Sequence, residues 1–414
     1  MSIPRQMDWR DRAARGGRAG RSLLLLAASA AAVYRALSAG ALGDYPNDAG
    51  PAISALLHGH LHAFASAQPA MGQLSLLLRL PFAAIAYLGS PTQLEVYRWG
   101  AVPCVLSVAL LGCWLARIAR ARGSGAPGQT AIVAICLFNP LVASALGSGH
   151  PEELLTASLA AGAIVAAAQR RALLGTILIG LAIASKQWAL IALFPMLAVF
   201  GGRRLRILAG AGAIVAAISL PAFVIAPSSF LHDQLGLADG HTLSPTAYSW
   251  LFPLTPTITR HLAGGIVWHG PQLPAALVGA LHPSMIAIGA AAGAYLAFDA
   301  RGTISVSRLC AAVSLALLLR CTLDTETVPY YHACLLFVLV GWDALRGECL
   351  PWRGLAGGVA CYVIFSRLTP SVIGAYPASA IYGLASLGVC ILLVRELRAP
   401  RLPRRAPAAA ALPV

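Results

Sequence analysis

The sequence predicts an all-α polytopic membrane protein. Of its 414 residues, 58% are apolar and only 11% charged, and mean hydropathy is +0.73. A soluble domain of this length carries roughly twice that charge fraction. The apolar residues fall into blocks close to the roughly 20 residues a helix needs to cross a hydrocarbon core about 30 Å thick. Lipid offers no partner to an exposed backbone, so blocks rich in Ala, Leu, Val and Gly must be helical there. No period-two alternation points to a barrel.

In order, the blocks place about 12 transmembrane helices, over residues 22–40, 98–118, 129–147, 153–168, 172–185, 188–201, 205–226, 275–298, 304–320, 331–345, 354–370 and 379–396. The basic stretch 5–21 followed by apolar 23–33 resembles the opening of a secretory signal. With so many further spans to insert, an uncleaved first helix is expected. The segment 71–88 is also apolar, but its Gly72, Arg79 and Pro81 suit an interfacial helix in the first outer loop.

Charge agrees with that arrangement. With both termini inside, short clusters such as Arg117, Arg120 and Arg122, Arg170 and Arg171, Arg203, Arg204 and Arg206, and Arg346 and Arg353 face the cytoplasm. With the two termini, Arg301 and Arg308, they place 23 of the 30 Lys and Arg on that side, as the positive-inside rule asks. The chain then divides into a basic cytoplasmic N-terminus (1–21), a single transmembrane domain (22–398) with outer loops 41–97 and 227–274, and a basic cytoplasmic tail (399–414) suited to anionic lipid. Both outer loops are long enough to carry structure of their own.

The net charge of +15 comes from these inter-span clusters, not from a basic face interleaved with aromatics, so nucleic acid is not an expected partner. The nine cysteines are scattered singly within apolar blocks and read as small buried hydrophobes rather than a disulfide framework or zinc site. His58, His60 and His62 look like a metal cluster, since i and i+4 share a helix face. No third ligand is evident beside them, and no metal or cofactor is expected.

Polar residues at membrane depth are expensive, so those retained mark candidate chemistry. Four clusters lie on the outer side. In Gly43-Asp44-Tyr45-Pro46-Asn47-Asp48-Ala49-Gly50-Pro51, either acid suits a general base beside a lipid donor. Asp48 equally suits a helix N-cap with Pro51 in the first turn, and Asp44 a turn. In Gly147-Ser148-Gly149-His150-Pro151-Glu152-Glu153, a histidine and two acids share one short turn, where the acids also complement a helix dipole. In Ser185-Lys186-Gln187-Trp188, Lys186 is the only lysine in the chain, a compact counter-ion for a phosphate or a snorkelling charge. The fourth cluster runs from Arg320 through Asp324 to Tyr330, Tyr331 and His332. Arg320 suits a bidentate grip on phosphate, the tyrosines suit a sugar face, and His332 a leaving oxygen or the acceptor. An aromatic belt with an Arg320–Asp324 pair is the plainer reading.

Taken together, these residues suit displacement at a sugar carbon with a phosphate leaving group: a carboxylate takes the acceptor proton while cations neutralise the departing phosphate.

Four of these features in order give the chain a resemblance to the GT-C type glycosyltransferases, closest to the actinobacterial polyprenol-phosphate-mannose-dependent mannosyltransferases of glycosyltransferase family 87. They are the Asp-bearing first outer loop running into Gln68-Pro69-Ala70-Met71; Gly149-His150-Pro151-Glu152-Glu153; Gly180-Leu181-Ala182-Ile183-Ala184-Ser185-Lys186-Gln187; and Tyr330-Tyr331-His332 opening a span that ends Gly341-Trp342-Asp343. The chain departs from the commoner family pattern at His150-Pro151-Glu152-Glu153, where an amide-rich turn is more usual. The resemblance implies inverting transfer of a sugar, mannose in the first instance, from a polyprenyl-phosphate donor to a glycolipid or glycan acceptor. It implies a cytoplasmic-membrane location, an outward-facing site, no nucleotide and no required metal. Its base would be Asp48 or Asp44, with Lys186 and Arg320 on the donor phosphate. His150, Glu152, Glu153, Gln187, Tyr330, Tyr331 and His332 would position sugar or acceptor. A transporter or flippase of a lipid-linked sugar would use similar cations but would survive loss of the carboxylate. A non-catalytic assembly subunit would tolerate alanine at every one of these positions.

Overall fold

The computed structural model describes residues 9–67, 71–235, 245–261, 267–299 and 304–399. Gln68-Pro69-Ala70, Arg301 and the basic tail beyond Ala399 lie outside the described residues. The chain forms helices α1 (Trp9–Leu37), α2 (Ala49–Leu57), α3 (Leu61–Ser66), α4 (Gln73–Ala86), α5 (Gln93–Ala121), α6 (Ala126–Phe138), α7 (Pro140–Gly147), α8 (Pro151–Ala168), α9 (Ala172–Ser185), α10 (Leu190–Phe200), α11 (Arg204–Ile225) and α12 (Pro227–Leu235). After a two-stranded hairpin come α13 (Ala275–Asp299), α14 (Val306–Leu323), α15 (Ala333–Arg346), α16 (Trp352–Tyr362), α17 (Pro370–Ile373) and α18 (Ala375–Arg398).

Among the described residues, seven helical segments are long and apolar enough to cross a membrane: Gln93–Ala121, Ala126–Gly147, Pro151–Ala168, Gln187–Ile225, Gly279–Phe298, Val306–Leu323 and Ala375–Arg398. Ser22–Leu37, Gln73–Ala86 and Ala172–Ser185 are apolar but shorter. This is an all-α polytopic membrane protein. The expected spans 188–201 and 205–226 lie within one helical run of 39 residues, bent at Gly201, whose φ is +50°. The segment expected to lie in the interface is helical as α4. It packs against α5, and its Arg79 is fully buried.

At the centre stand α8 and α15, both buried along nearly their whole length, with α5, α9 and α14 around them. The outer helices keep apolar faces uncovered, with Leu205 and Val224 on α11 and Leu384 and Leu392 on α18 largely exposed. Such faces suit contact with lipid tails, which are as apolar as leucine.

Helix ends inside a bilayer leave backbone groups that water cannot satisfy, and side chains close them here. The 126–147 span breaks at Asn139-Pro140, because proline cannot continue a helix. Asn139 serves both sides of the break. Its amide nitrogen donates to the Ile135 and Cys136 carbonyls at 2.8 and 2.9 Å, and its oxygen accepts from the Leu141 and Val142 amides at 2.9 and 3.2 Å. Thr92 and Glu95 form a capping box at the start of α5. On the arginine-rich side, guanidinium groups reach across to carbonyls in the last turns of neighbouring helices: Arg308 to Leu397, Arg122 to Leu345 and Arg170 to Val199. Arginines that the positive-inside rule assigns to the cytoplasm thus also cap helix C-termini.

The 227–274 segment carries α12 and an antiparallel hairpin, β1 (Thr257–His261) with β2 (Val267–Pro271), in which Thr259 pairs with His269. Ahead of the hairpin, the Thr246 hydroxyl donates to the Thr327 carbonyl at 2.9 Å and the Ser379 hydroxyl to the Ser249 carbonyl at 2.8 Å. The 246–249 stretch is thereby tied to the 324–328 turn and to α18.

Two backbone approaches assemble the polar side of the bundle. The Asp44 amide donates to the Ser148 carbonyl at 3.0 Å, and the Gly72 amide to the Ser185 carbonyl at 2.8 Å. Both need glycine. Gly149 has φ +86°, and a Cβ there would overlap the Leu42 carbonyl; a Cβ on Gly72 would overlap the Ala184 carbonyl. We therefore expect Gly72→Ala and Gly149→Ala each to destabilise by about 3 kcal/mol or more, since backbone must move. Gly147→Ala, with nothing within 4 Å of the added carbon, should leave the thermal midpoint of purified protein unchanged. Equal midpoints for all three would contradict this packing.

Candidate active site

The site begins at the N-terminus of α8. Pro151 sets the first helical turn, and Glu152 and Glu153 follow at the positive end of the helix dipole. Both carboxylates are buried, at 0% and 3% exposure, so a helix dipole alone does not account for them. Buried charges require partners, and three segments supply them.

Glu152 is the hub. Its Oε2 lies 3.4 Å from Arg79 Nη1 on α4, and its Oε1 lies 3.0 Å from His150 Nδ1 and 3.6 Å from Lys186 Nζ. Glu153 faces the other way: its Oε1 is 3.4 Å from Lys186 Nζ, and its Oε2 accepts from Trp188 Nε1 at 2.9 Å. Lys186 follows directly on the end of α9, in extended backbone. That end is fixed by the Thr156 hydroxyl donating to Ser185 Oγ at 2.8 Å. Gln187 opens the short 3-10 turn that follows and is half-buried.

The loop between α1 and α2 lies on the 147–150 turn and brings in both acids. Asp44 Oδ2 is 3.2 Å from His150 Nε2, and Asp48 Oδ2 is 3.6 Å from His150 Nδ1. Asp48 does occupy the N-cap position of α2, but its side chain makes no capping hydrogen bond. It is turned toward His150 instead. The two acids differ in setting: the Asp44 side chain is 75% exposed, that of Asp48 only 20%.

Arg320 completes the array from the last turn of α14. Its guanidinium lies between two rings, 4.8 Å from Trp188 and 4.2 Å from Tyr331. Among the described residues its Nη1 has no hydrogen-bond partner, although the residue is only 5% exposed. Tyr330 lies over His150 with ring centroids 5.3 Å apart. His332 is more deeply set. Its Nδ1 donates to the Pro329 carbonyl at 3.1 Å, and its Nε2 meets the Tyr382 hydroxyl at 3.0 Å. In this arrangement neither ring nitrogen faces the cluster.

The residues that sequence assigned to base, phosphate, sugar or acceptor thus fall within or beside one array. Sequence reasoning gave no role in the site to three members. Arg79 is fully buried, under the Tyr45 ring at 5.3 Å. Trp188 links Glu153 to Arg320, and Tyr382 holds His332. Arg79 carried a readable signal, a lone charge within the run Leu76-Leu77-Leu78-Arg79-Leu80.

The electrostatics follow from this geometry. Burial works against a charged His150, but its hydrogen bond to Glu152 and the charges of Glu152 and Asp48 win, raising its pKa to about 9. With carboxylates at both nitrogens, the ring is an imidazolium at neutral pH and a double donor. Burial also opposes the Lys186 ammonium, yet Glu153, Glu152 and Asp48 raise its pKa further. Asp48 moves upward, first through burial and then through the neighbouring Glu152 charge, against the pull of Lys186, His150 and Arg79. A carboxylate raised in this way is a better proton acceptor than a free one.

Asp48, His150 and Glu152 place potential metal ligands within 4.8 Å of one another. The same Glu152 already faces Arg79 and Lys186, and positive charges in those places oppose a cation. The His58, His60 and His62 side chains are exposed; His58 stacks on His60 at 6.2 Å, while His62 Nδ1 lies 3.4 Å from Ser66 Oγ.

Residues 72–202 match the family model of the MptA_B family, alpha-(1->6)-mannopyranosyltransferase, N-terminal domain. The match covers about a third of the chain. It contains Arg79, His150, Glu152, Glu153, Lys186 and Trp188, and it stops short of Asp44 and Asp48 on one side and Arg320 on the other. It supports a mannosyltransferase of GT-C type. No curated protein and no solved structure matches the chain.

The His150 shift gives stability a pH dependence. A histidine whose pKa rises on folding stabilises fully below its free value of about 6.5, and the contribution is lost as pH rises through the folded value, here about 9. The thermal midpoint of the wild type should fall between about pH 7 and 10, and His150→Gln should remove most of that fall. An identical fall in the variant would contradict the pairing.

Proposed function

We propose that the chain is an inverting glycosyltransferase that moves mannose from a polyprenyl-phosphate donor to a glycolipid or glycan acceptor. The reaction would take place at the outer face of a cytoplasmic membrane, within a bundle of about 12 spans with α4 near the outer interface. The observation that carries the reading is the meeting of a first-loop carboxylate with the chain's only lysine, through His150 and Glu152. The mannopyranosyltransferase match over residues 72–202 supports the sugar. The resemblance to glycosyltransferase family 87 of actinobacteria supports the lipid donor.

In this reading Asp48 is the general base. Its partial burial, raised pKa and idle capping position favour it over Asp44. The acceptor oxygen forms a bond to the anomeric carbon as the bond from that carbon to the phosphate oxygen breaks. The acceptor proton passes to Asp48, and the electron pair leaves with the phosphate. A single displacement of this kind inverts the anomeric centre. Lys186 and Arg320 neutralise the departing phosphate; stacking between Trp188 and Tyr331 holds the guanidinium plane with one edge uncommitted. The His150 imidazolium, its two N–H groups held by Asp44 and Glu152, places a fixed positive charge beside the sugar or acceptor, with Gln187, Tyr330 and Tyr331 next to it. His332 acts at one remove, setting the 329–332 turn that presents the tyrosines.

The test is transfer of radiolabelled mannose from polyprenyl-phosphate-mannose into a membrane lipid extract, by purified protein in nanodiscs. Asp48→Asn should lower kcat by about 10²–10⁴, the usual range for a lost general base, while donor binding is retained. Asp44→Asn should cost less than about tenfold, and Lys186→Ala should weaken donor binding. Full loss in Asp44→Asn with Asp48→Asn active would exchange their roles. Lipid movement across vesicles without transfer, indifferent to both substitutions, would make the protein a transporter.

A further inference from the structure

The two cations assigned to the donor phosphate do not stand alone. The Glu153 carboxylate lies between them, 3.4 Å from Lys186 Nζ on one oxygen and hydrogen-bonded to Trp188 Nε1 at 2.9 Å on the other. That indole in turn faces the Arg320 guanidinium at 4.8 Å. Asp324, four residues after Arg320, is instead engaged by the Glu326 amide at 3.1 Å. Glu153 is 3% exposed and Arg320 5%, so little water screens them. Glu152 also reaches Lys186, at 3.6 Å, but its charge is already offset by Arg79 and His150.

A buried carboxylate beside a phosphate-binding pair looks counterproductive until donor and product are compared. A sugar phosphodiester carries one negative charge. The polyprenyl phosphate it leaves behind is a monoester, with about −1.5 to −2 at pH 7 and a second pKa near 6. Two unopposed cations in a dry site would hold that product more tightly than the donor and stall the next turnover. One internal carboxylate removes one unit of positive charge, so the pair matches a monoanion.

We propose that Glu153 is an internal counter-ion that sets the charge selectivity of the phosphate site, favouring a lipid phosphodiester over the phosphate monoester released from it. This rests on the assignment of Lys186 and Arg320 to the phosphate, and it makes Glu153 a specificity-determining residue rather than a sugar ligand.

The experiment measures binding of two probes to full-length protein in nanodiscs at pH 8: farnesyl phosphate, a dianion, and farnesyl methyl phosphate, a monoanion. In Glu153→Gln, which keeps an oxygen for the Trp188 N–H, the monoester Kd should fall about tenfold more than the diester Kd, and product inhibition of transfer should tighten in parallel. Trp188→Phe disturbs the same packing and keeps the charge, so it should leave the ratio of the two Kd values at the wild-type value. Glu153→Asp keeps the charge but withdraws it from the cations and should fall between; it carries the comparison if the glutamine variant does not fold. An equal change for both probes in Glu153→Gln, or the same ratio shift in Trp188→Phe, would overturn the counter-ion role and leave the transferase reading intact. Failure of the wild type to bind either probe would instead remove the phosphate site itself.

Discussion

The site depends on one buried carboxylate. Glu152 is wholly enclosed at the start of the most buried helix of the bundle, where an uncompensated charge would cost several kcal/mol. Its three partners come from three different places: Arg79 from α4, His150 from the turn before α8, and Lys186 from the end of α9. Satisfying Glu152 therefore fixes how the 147–150 turn, α4 and the α9 end sit against α8. His150, once held there, recruits Asp44 and Asp48. The catalytic arrangement proposed for the chain and the packing of its polar end are one electrostatic problem with one solution.

That solution also distributes charge. Around Glu152 and Glu153 the positive groups are Arg79, His150, Lys186 and Arg320, and the further acids are Asp44 and Asp48. Each cation has an acid or an aromatic face, yet Arg320 keeps a nitrogen uncommitted and Asp48 stays partly open. An array that is nearly neutral in total can persist among apolar helices while its open edges remain available for a charged lipid. At the opposite end the logic is simpler: arginines meet helix C-termini and water.

Much of this was legible before any coordinates. The membrane class follows from composition, and the four polar segments follow from the cost of burying charge. Lys186 stood out because nothing else in the chain is lysine. The pairings were not legible, because they join residues 73 and 106 positions apart, Arg79 with Glu152 and Asp44 with His150. Arg79 was read as an interfacial charge, since Gly72 and Pro81 flank it as they would in a surface helix. The alternative, burial against an acid, needed knowledge of α8. Asp48 suited a cap as well as a base, because position and residue type fit both; the side chain's turn toward His150 is a tertiary effect that overrides the local capping preference. His332 was legible as a polar residue but not as one already engaged, because Tyr382 lies 50 positions away.

The most direct test of this account is a double-mutant cycle on Arg79 and Glu152, read as unfolding free energy in nanodiscs. Arg79→Met and Glu152→Met each strand a buried charge and should each cost about 3–5 kcal/mol. The double variant should lose at least about 2 kcal/mol less than the sum of the two, because both charges go together. Strict additivity would mean that the two groups do not sense one another, and that Glu152 is not the charge on which the site is built.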